Sequence, residues 1–370
     1  MPRKSSSERI FSFACQITPD QLAELQRITK QKSEAEDDTD DSERCGWRIR
    51  QIVQCDGIRA LVRLSQGASA KTEEQIALAL RQIAVEPSVR GSLIQQGGYK
   101  TCLDLSAKDS TKCVCDATWC LGKTLVTTNP GVLTAPQRVG CVGALLRLLR
   151  DHRCPDLAHF EALLGLTNVA TFSDEMKARV VAEKGLRTLE YMQFSDHLLV
   201  RRAATECLTN LMPHPDMVAH LRDGEKLKLW CAFAEDFESD LPTARAAAGC
   251  LAMACGLSDS ELQASLLASR ACQVFVDLLK CGAAELVHRA AVGIGYMTDS
   301  PQCVDKFKEL NARASLSGVA KKKSPEWASA AGAAKDASRA LVAASVSAAV
   351  AANSTTIVEA KADGTFDLSM

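Results

Sequence analysis

Several stretches of the sequence repeat at a nearly constant interval, and this regularity constrains the fold more than any other feature. RRAATECLTNL begins at Arg201, RAAAGCLAMA at Arg245 and RAAVGIGYM at Arg289, so the arginine before the alanines recurs after 43 and then 44 residues. FEALLGLTNVA starts at Phe160, 42 residues before Arg202. Another apolar, helix-like segment precedes each copy. A period of this length, built from two or three helices, is typical of armadillo and HEAT arrays.

No single repeat of this size can bury its own apolar face, so successive copies must stack to form one core. Aromatic residues make up only 5% of the chain, which favours closely packed helices over a β-sandwich. We therefore expect an all-α fold, an armadillo/HEAT-like right-handed superhelical solenoid of about six to seven repeats. The solenoid is expected over residues 47–352. Residues 1–46 are predicted to be a flexible acidic segment with one possible short helix from Thr18, and 353–370 a disordered tail.

The chain has 16 cysteines but no C-x-x-C pair, which indicates reduced core thiols in a cytoplasmic protein and no metal site. The net charge of −1 gives no field that would attract nucleic acid or a membrane surface. The longest run of small apolar residues, 340–352, has 13 residues and is too short to cross a bilayer.

Motifs that carry catalysis are missing from the sequence. There is no H-E-x-x-H pattern, no G-x-S-x-G elbow and no phosphate-binding Walker loop. We expect neither enzymatic activity nor a cofactor, although an enzyme whose site leaves no sequence motif stays an alternative.

The surface of the repeated helix is the remaining candidate for function. Residues at i, i+4 and i+8 share one side of a helix, and in armadillo arrays the last helix of each repeat lines a concave groove. Asparagine amides can hold an extended peptide backbone, and methionine adapts to varied partners. The candidate groove residues are Phe160, Asn168, Arg202, Glu206, Asn210, Arg245, Met253, Arg289 and Met297.

A plainer interpretation of these residues is also open. Arg202 and Glu206 can form an ordinary exposed i,i+4 ion pair, and Asn210 can simply tie down the following proline loop. A shift of one residue in the helical register would place three of the candidates in the core: Phe160, Met253 and Met297.

Several separated blocks resemble one known family in order and spacing. They are IQQGGYKTCLDL (94–105), LVTTNPGV (125–132), FEALLGLTNVA, RRAATECLTNL, RDGEKLKLW (222–230) and RAAAGCLAMA. Together these blocks resemble the UCS domain of the myosin-chaperone family, over roughly residues 50–345. The resemblance implies a groove that engages the myosin motor domain and assists its folding, assembly or stability without ATP hydrolysis. It also implies that Asn168 and Asn210 lie on groove-lining helices, with Arg202 and Glu206 beside Asn210.

One part of the family pattern is missing. Animal members usually carry an amino-terminal tetratricopeptide domain that grips the acidic tails of heat-shock chaperones. Residues 1–46 have no W-x-x-L-G-x-x-Y pattern and are too few for three 34-residue repeats. Heat-shock chaperones stay candidate partners, although this sequence lacks the tetratricopeptide pattern of the domain that docks them. An armadillo scaffold that binds a different extended peptide is the alternative function.

Overall fold

The computed structural model describes the backbone of residues 39–362 and the side chains of residues 43–347. Over this range the chain forms twenty α-helices, three short 3₁₀ turns and no β-strand. The helix predicted from Thr18 lies outside the described residues. The helices fall into two compact units that divide between His214 and Pro215.

The amino-terminal unit contains eleven of the described helices. They are α1 (Thr39–Gln54), α2 (Gly57–Leu64), α3 (Ala70–Ile83), α4 (Arg90–Gln95), α5 (Gly98–Leu105), α6 (Thr111–Thr127), α7 (Ala135–Arg150), α8 (Asp156–Phe172), α9 (Asp174–Ala182), α10 (Gly185–Met192) and α11 (Leu198–Asn210).

The carboxyl-terminal unit contains the other nine. They are α12 (Pro215–Arg222), α13 (Gly224–Glu235), α14 (Leu241–Cys255), α15 (Ser260–Ala268), α16 (Ala271–Leu278), α17 (Ala284–Met297), α18 (Pro301–Glu309), α19 (Ala312–Ala320) and α20 (Ala328–Ala362).

One long helix of each repeat, which we name the third helix, forms the spine of each unit. In the amino-terminal unit α3 packs on α6, α6 on α8 and α8 on α11, and in the other unit α14 packs on α17 and α17 on α20. Shorter helices cover one side of each spine, for example α7 on α8 and α18 on α20. The stacking of one helix per repeat on its counterpart in the next confirms the predicted all-α, armadillo-like fold.

Polar caps and prolines mark the starts of several helices. The hydroxyl of Ser110 accepts a hydrogen bond from the Cys113 amide at the start of α6, and Asp240 does the same for the Thr243 amide at the start of α14. Pro215 and Pro301 occupy first positions of α12 and α18, where a missing N–H costs nothing. These local signals fix the ends of the third helices and therefore their register.

Two glycines bring third helices α6 and α8 into close backbone contact. A Cβ added at Gly122 would lie 3.0 Å from the Cα of Ala162, and one added at Gly165 would lie 3.1 Å from the carbonyl oxygen of Gly122. The atoms in the way belong to the backbone and cannot rotate aside. The small residues therefore set the spacing between the helices that carry the candidate site.

The outermost helices extend past both predicted boundaries of the solenoid. α1 begins at Thr39 rather than near residue 47, and α20 continues to Ala362 rather than ending near residue 352. An acidic composition predicts a flexible segment, yet acidic residues also favour the start of a helix because they complement its dipole. Alanine, which dominates α20, has the highest helix propensity of any residue.

Most described cysteines are buried, as predicted for core thiols. Cys45 and Cys55 are exposed and Cys115 is partly exposed, while the other described cysteines are buried. Within the described range, no helix is both long and apolar enough to cross a membrane.

Candidate partner-binding face

A row of charged and aromatic side chains crosses three third helices of the amino-terminal unit. We name it the third-helix row: Arg81 on α3, Asp116, Trp119 and Lys123 on α6, and Glu161 on α8. Nε of Arg81 lies 2.8 Å from Oδ1 of Asp116, and its guanidinium carbon lies 4.4 Å above the centre of the Trp119 ring. A cation over an indole face is attracted by the negative charge of the ring surface. Arg81 therefore holds α3 against α6 through two contacts.

The second half of the row joins α6 to α8. Nε1 of Trp119 donates a hydrogen bond of 2.5 Å to Oε2 of Glu161, and Nζ of Lys123 lies 2.6 Å from Oε1 of the same carboxylate. The side chains of Lys123 and Glu161 are only 6% and 3% exposed. Charges buried this deeply persist only when they are paired and hydrogen-bonded. The carboxylate of Glu161 is therefore the anchor of the row.

The exposed edge of the row is the part that another molecule can reach. Trp119 is partly exposed, the side chain of Arg81 is 20% exposed and that of Asp116 is 11% exposed. Burial raises the pKa of Asp116 above its usual value, and the positive charge of Arg81 opposes that shift. An indole flanked by cations and a carboxylate suits the recognition of a polypeptide. Among residues 43–347, no group of three His, Cys, Asp or Glu side chains could hold a metal ion.

The two candidate asparagines bind backbone within their own unit. Nδ2 of Asn168 donates to the carbonyl oxygen of Leu125 at 2.7 Å, near the end of α6. Asn210 is buried, and its Nδ2 donates to the carbonyl oxygen of Glu206 at 2.9 Å. Asn168 thereby satisfies a carbonyl near the end of the neighbouring third helix, where the α-helix ladder runs out. The donor groups expected to hold a peptide are thus engaged inside the protein.

Arg202 and Glu206 form the ion pair that the plainer interpretation describes, but in a different setting. Nε of Arg202 lies 3.1 Å from Oε1 of Glu206, and the two side chains are 11% and 9% exposed. The expected exposed pair is therefore largely buried on α11. Water and salt therefore screen the attraction between Arg202 and Glu206 less than they screen a fully solvated ion pair.

Three of the predicted groove residues lie in the core, which corrects that part of the site. Phe160, Met253 and Met297 are 3%, 2% and 1% exposed. On α6, Cys115 and Trp119 are partly exposed, and each stands one position before a buried residue, Asp116 and Cys120 respectively. Phe160, Met253 and Met297 therefore belong to the packed seam between third helices. At the same predicted register Asn168, Arg202 and Arg245 are partly exposed.

The carboxyl-terminal unit has its own polar cluster on third helices α14 and α17. Nη1 of Arg245 lies 2.7 Å from Oε2 of Glu285, and Nη2 of Arg289 lies 2.6 Å from Oε1 of the same glutamate. Arg289 also donates to the carbonyl oxygen of Arg245. A Cβ at Gly249 would lie 2.8 Å from Nη1 of Arg289, so the glycine leaves room for the guanidinium. Although burial of Glu285 acts to raise its pKa, the two arginines hold that pKa below its usual value.

Most of the third-helix row was not predicted from the sequence, although the period itself contained the signal. Trp119 and Glu161 are 42 residues apart, which is one repeat. Residues one period apart on stacked third helices are neighbours, so a donor and an acceptor at that spacing predict a contact between repeats. Arg245 and Arg289 are also one period apart, and the structure does bring them together.

Fold and site together define a class, that of helical repeat proteins whose third helices carry a polar face with an aromatic edge. Comparison with known proteins narrows this class, although no family model matches the chain. The chain is 31% identical over 240 residues to protein unc-45 homolog B of Homo sapiens, which is 63% of this chain and 26% of the human protein. It is 28% identical over 318 residues to the Danio rerio protein of the same name, which is 83% of this chain and 33% of the relative.

Solved structures lead to the same family. UNC-45 from Drosophila melanogaster superposes with a TM-score of 0.75 at 27% identity, over 84% of this chain and 40% of that one. UNC-45 from C. elegans, described as a myosin chaperone in complex with a Hsp90 peptide, gives a TM-score of 0.67 at 26% identity, over 78% of this chain and 32% of that one. Sequence and fold thus confirm the predicted resemblance to the UCS-domain family of UNC-45 proteins. The chain spans about a quarter to a third of the length of the human and Danio rerio relatives.

Proposed function

We propose that this chain is a myosin-directed co-chaperone that binds the myosin motor domain and assists its folding, assembly or stability. The similarity to UNC-45 proteins, one of which is described as having molecular features critical for binding and folding muscle myosin, supports the choice of client. The proposed activity is that of a binding protein in the cytoplasm, with no catalytic step of its own.

The proposed contact surface is the accessible edge of the third helices, and the position of Trp119 is the observation that carries this choice. Trp119 is partly exposed although two cations and a carboxylate hold its ring in one orientation. A tryptophan that is fixed in place loses little entropy when it binds, and tryptophan is among the residues that dominate binding energy at interfaces. The edge would receive an extended or partly folded segment of the client.

Heat-shock chaperones are proposed as further partners, because UNC-45 structures are described in complex with Hsp90 and Hsp70 peptides. This chain covers 32% of each of those structures. We propose that this chain contacts heat-shock chaperones through the client complex rather than through the third-helix row.

Co-purification with a purified myosin motor domain tests the proposal. Wild-type chain should retain the motor domain above the level of an unrelated armadillo protein, and Trp119→Ala should retain at least about tenfold less, as expected for loss of an interface hot spot. Trp47→Ala is the matched control, because Trp47 is 57% exposed on α1 and outside the row. Thermal unfolding of both variants separates a binding defect from a folding defect.

Two outcomes would count against the proposal. Equal retention by wild type and by the unrelated armadillo protein would remove myosin as the client and favour a scaffold for another peptide. A defect caused by Trp47→Ala and not by Trp119→Ala, in folded proteins, would move the contact surface away from the third-helix row.

A further inference from the structure

Two cysteines face each other across the start of third helices α6 and α8. Cys115 lies in the first turns of α6, and Cys154 lies in the turn that joins α7 to α8. Their sulfur atoms are 2.9 Å apart. Cys115 is partly exposed and Cys154 is buried, so the pair can be reached from one side only.

The turn that carries Cys154 is held in shape by its own contacts. The Cys154 amide donates to the carbonyl oxygen of Asp151 at 3.1 Å. Nε and Nη2 of Arg153 lie 2.8 and 2.9 Å from the two carboxylate oxygens of Asp151, and the imidazole Nε2 of His159 lies 3.1 Å from the Asp151 carbonyl oxygen. These contacts stabilise the turn that holds Cys154 beside Cys115. A disulfide requires sulfurs about 2.0 Å apart, so the two sulfur atoms already lie close to bonding distance.

The surroundings divide the two thiols into different roles. The hydrogen bond from the Cys154 thiol lowers the pKa of Cys115, with a smaller contribution from the charge of Arg81, while burial and two carboxylates oppose the shift. The same hydrogen bond and burial raise the pKa of Cys154. The thiolate is the reactive form of cysteine. Because Cys115 is also the more exposed of the two thiols, we assign it as the nucleophile and Cys154 as the resolving thiol.

We propose that Cys115 and Cys154 form an oxidative modification site, at which hydrogen peroxide or an organic hydroperoxide closes an intramolecular disulfide. The Cys115 thiolate attacks one peroxide oxygen, the O–O bond breaks, and hydroxide leaves as the sulfur becomes a sulfenic acid. The Cys154 sulfur then attacks the Cys115 sulfur, the S–O bond breaks, and the departing oxygen leaves as water with the thiol proton. Overall, two thiols and one hydrogen peroxide give one disulfide and two waters.

The disulfide would act on the third-helix row, a consequence that rests on the proposed function. Cys115 lies four residues before Trp119 and so on the same side of α6. It also precedes Asp116, the partner of Arg81. Tying this turn of α6 to the α7–α8 turn would fix the accessible edge of the row, so oxidation is expected to change the affinity for the client.

Disulfide mapping of the intact folded chain is the test. The protein is treated with hydrogen peroxide, remaining thiols are alkylated, and the chain is digested with trypsin without reductant. A linked pair of peptides covering residues 113–123 and 154–177 is expected, with fragment ions that place the bond on Cys115. Cys115→Ser and Cys154→Ser should each abolish the linked pair, whereas Cys55→Ser, which removes an exposed cysteine outside the site, should leave it intact.

Full alkylation of Cys115 and Cys154, at a peroxide dose that already oxidises exposed Cys55, would overturn the proposal. A linkage that involves Cys113 or Cys120 instead of Cys115 would overturn it as well. Circular dichroism of each serine variant shows that a lost linkage is not the result of unfolding.

Co-purification with the motor domain before and after oxidation tests the consequence for binding. A client affinity that is unchanged by a mapped disulfide would refute control of binding while leaving the modification site in place. If neither form binds the motor domain, the proposed function fails and the mapping result still stands.

Discussion

Replacing Glu161 with alanine is expected to destabilise the amino-terminal unit by about 3–5 kcal/mol. The substitution leaves Lys123, whose side chain is 6% exposed, as a buried charge without its carboxylate, and removal of one member of a buried ion pair costs this much. Trp119 loses its hydrogen-bond acceptor in the same step. A unit of this size shifts its melting temperature by about 2–4 °C for each kcal/mol, so a fall of about 6–20 °C is expected.

Urea unfolding followed by far-ultraviolet circular dichroism measures this loss. The double variant Lys123→Met/Glu161→Met removes both charges together and is expected to be far less destabilised than Glu161→Ala, because a buried ion pair can often be replaced by apolar residues of similar volume. Glu225→Ala is the surface control. Its partner Lys228 is 61% exposed, so a much smaller loss than that of Glu161→Ala is expected. A decrease in the free energy of unfolding of less than about 1 kcal/mol for Glu161→Ala would contradict the claim that its carboxylate anchors the third-helix row.

Three further predictions concern packing and pH. Gly165→Ala should lower the free energy of unfolding in urea by about 1–3 kcal/mol, because the added Cβ meets the carbonyl oxygen of Gly122. In the control Gly91→Ala on α4 the added Cβ meets no other atom, so this change should be neutral or slightly stabilising. Equal effects of the two substitutions would contradict the close contact of α6 with α8. Met253→Ala should lower the free energy of unfolding by about 2–5 kcal/mol in the same measurement, because Met253 is buried. A negligible loss would contradict the burial of Met253. Burial lowers the pKa of His220, with Asp223 opposing, so the folded protein binds the proton less readily than the unfolded chain does. The folded protein is therefore most stable with respect to this group above about pH 6.5, where His220 is neutral, and it loses stability as the pH falls below that value. His220→Gln should reduce the difference between the urea midpoints measured at about pH 7.5 and about pH 5.5. An unchanged difference would contradict the prediction.

The sequence was sufficient to predict the architecture because the repeat period is a property of the chain alone. Arginines one period apart predicted stacked helices, and α14 and α17 do bring Arg245 and Arg289 into contact. Prolines stand at the starts of helices α12 and α18, which is where a proline is tolerated best. The family resemblance followed from the same blocks.

The site was predicted less well because accessibility depends on the helical register. A shift of one position separates the packed seam, which contains Phe160 and Met253, from the edge that carries Trp119. On a helix that neighbours cover on most sides, polar side chains such as Asn168 also find backbone acceptors inside the protein. A single sequence does not say which hydrogen bonds are made between repeats, and that pairing decides which polar residues stay accessible.

Site-specific photo-crosslinking tests the proposed contact surface most directly. A benzophenone amino acid is placed at position 119 on the third-helix row and, in a separate variant, at position 191, where Tyr191 is 61% exposed on α10. Illumination in the presence of the myosin motor domain should give a crosslinked product from position 119 and little from position 191. Efficient crosslinking from position 191, with none from position 119 in a folded variant, would contradict the assignment of client binding to the third helices.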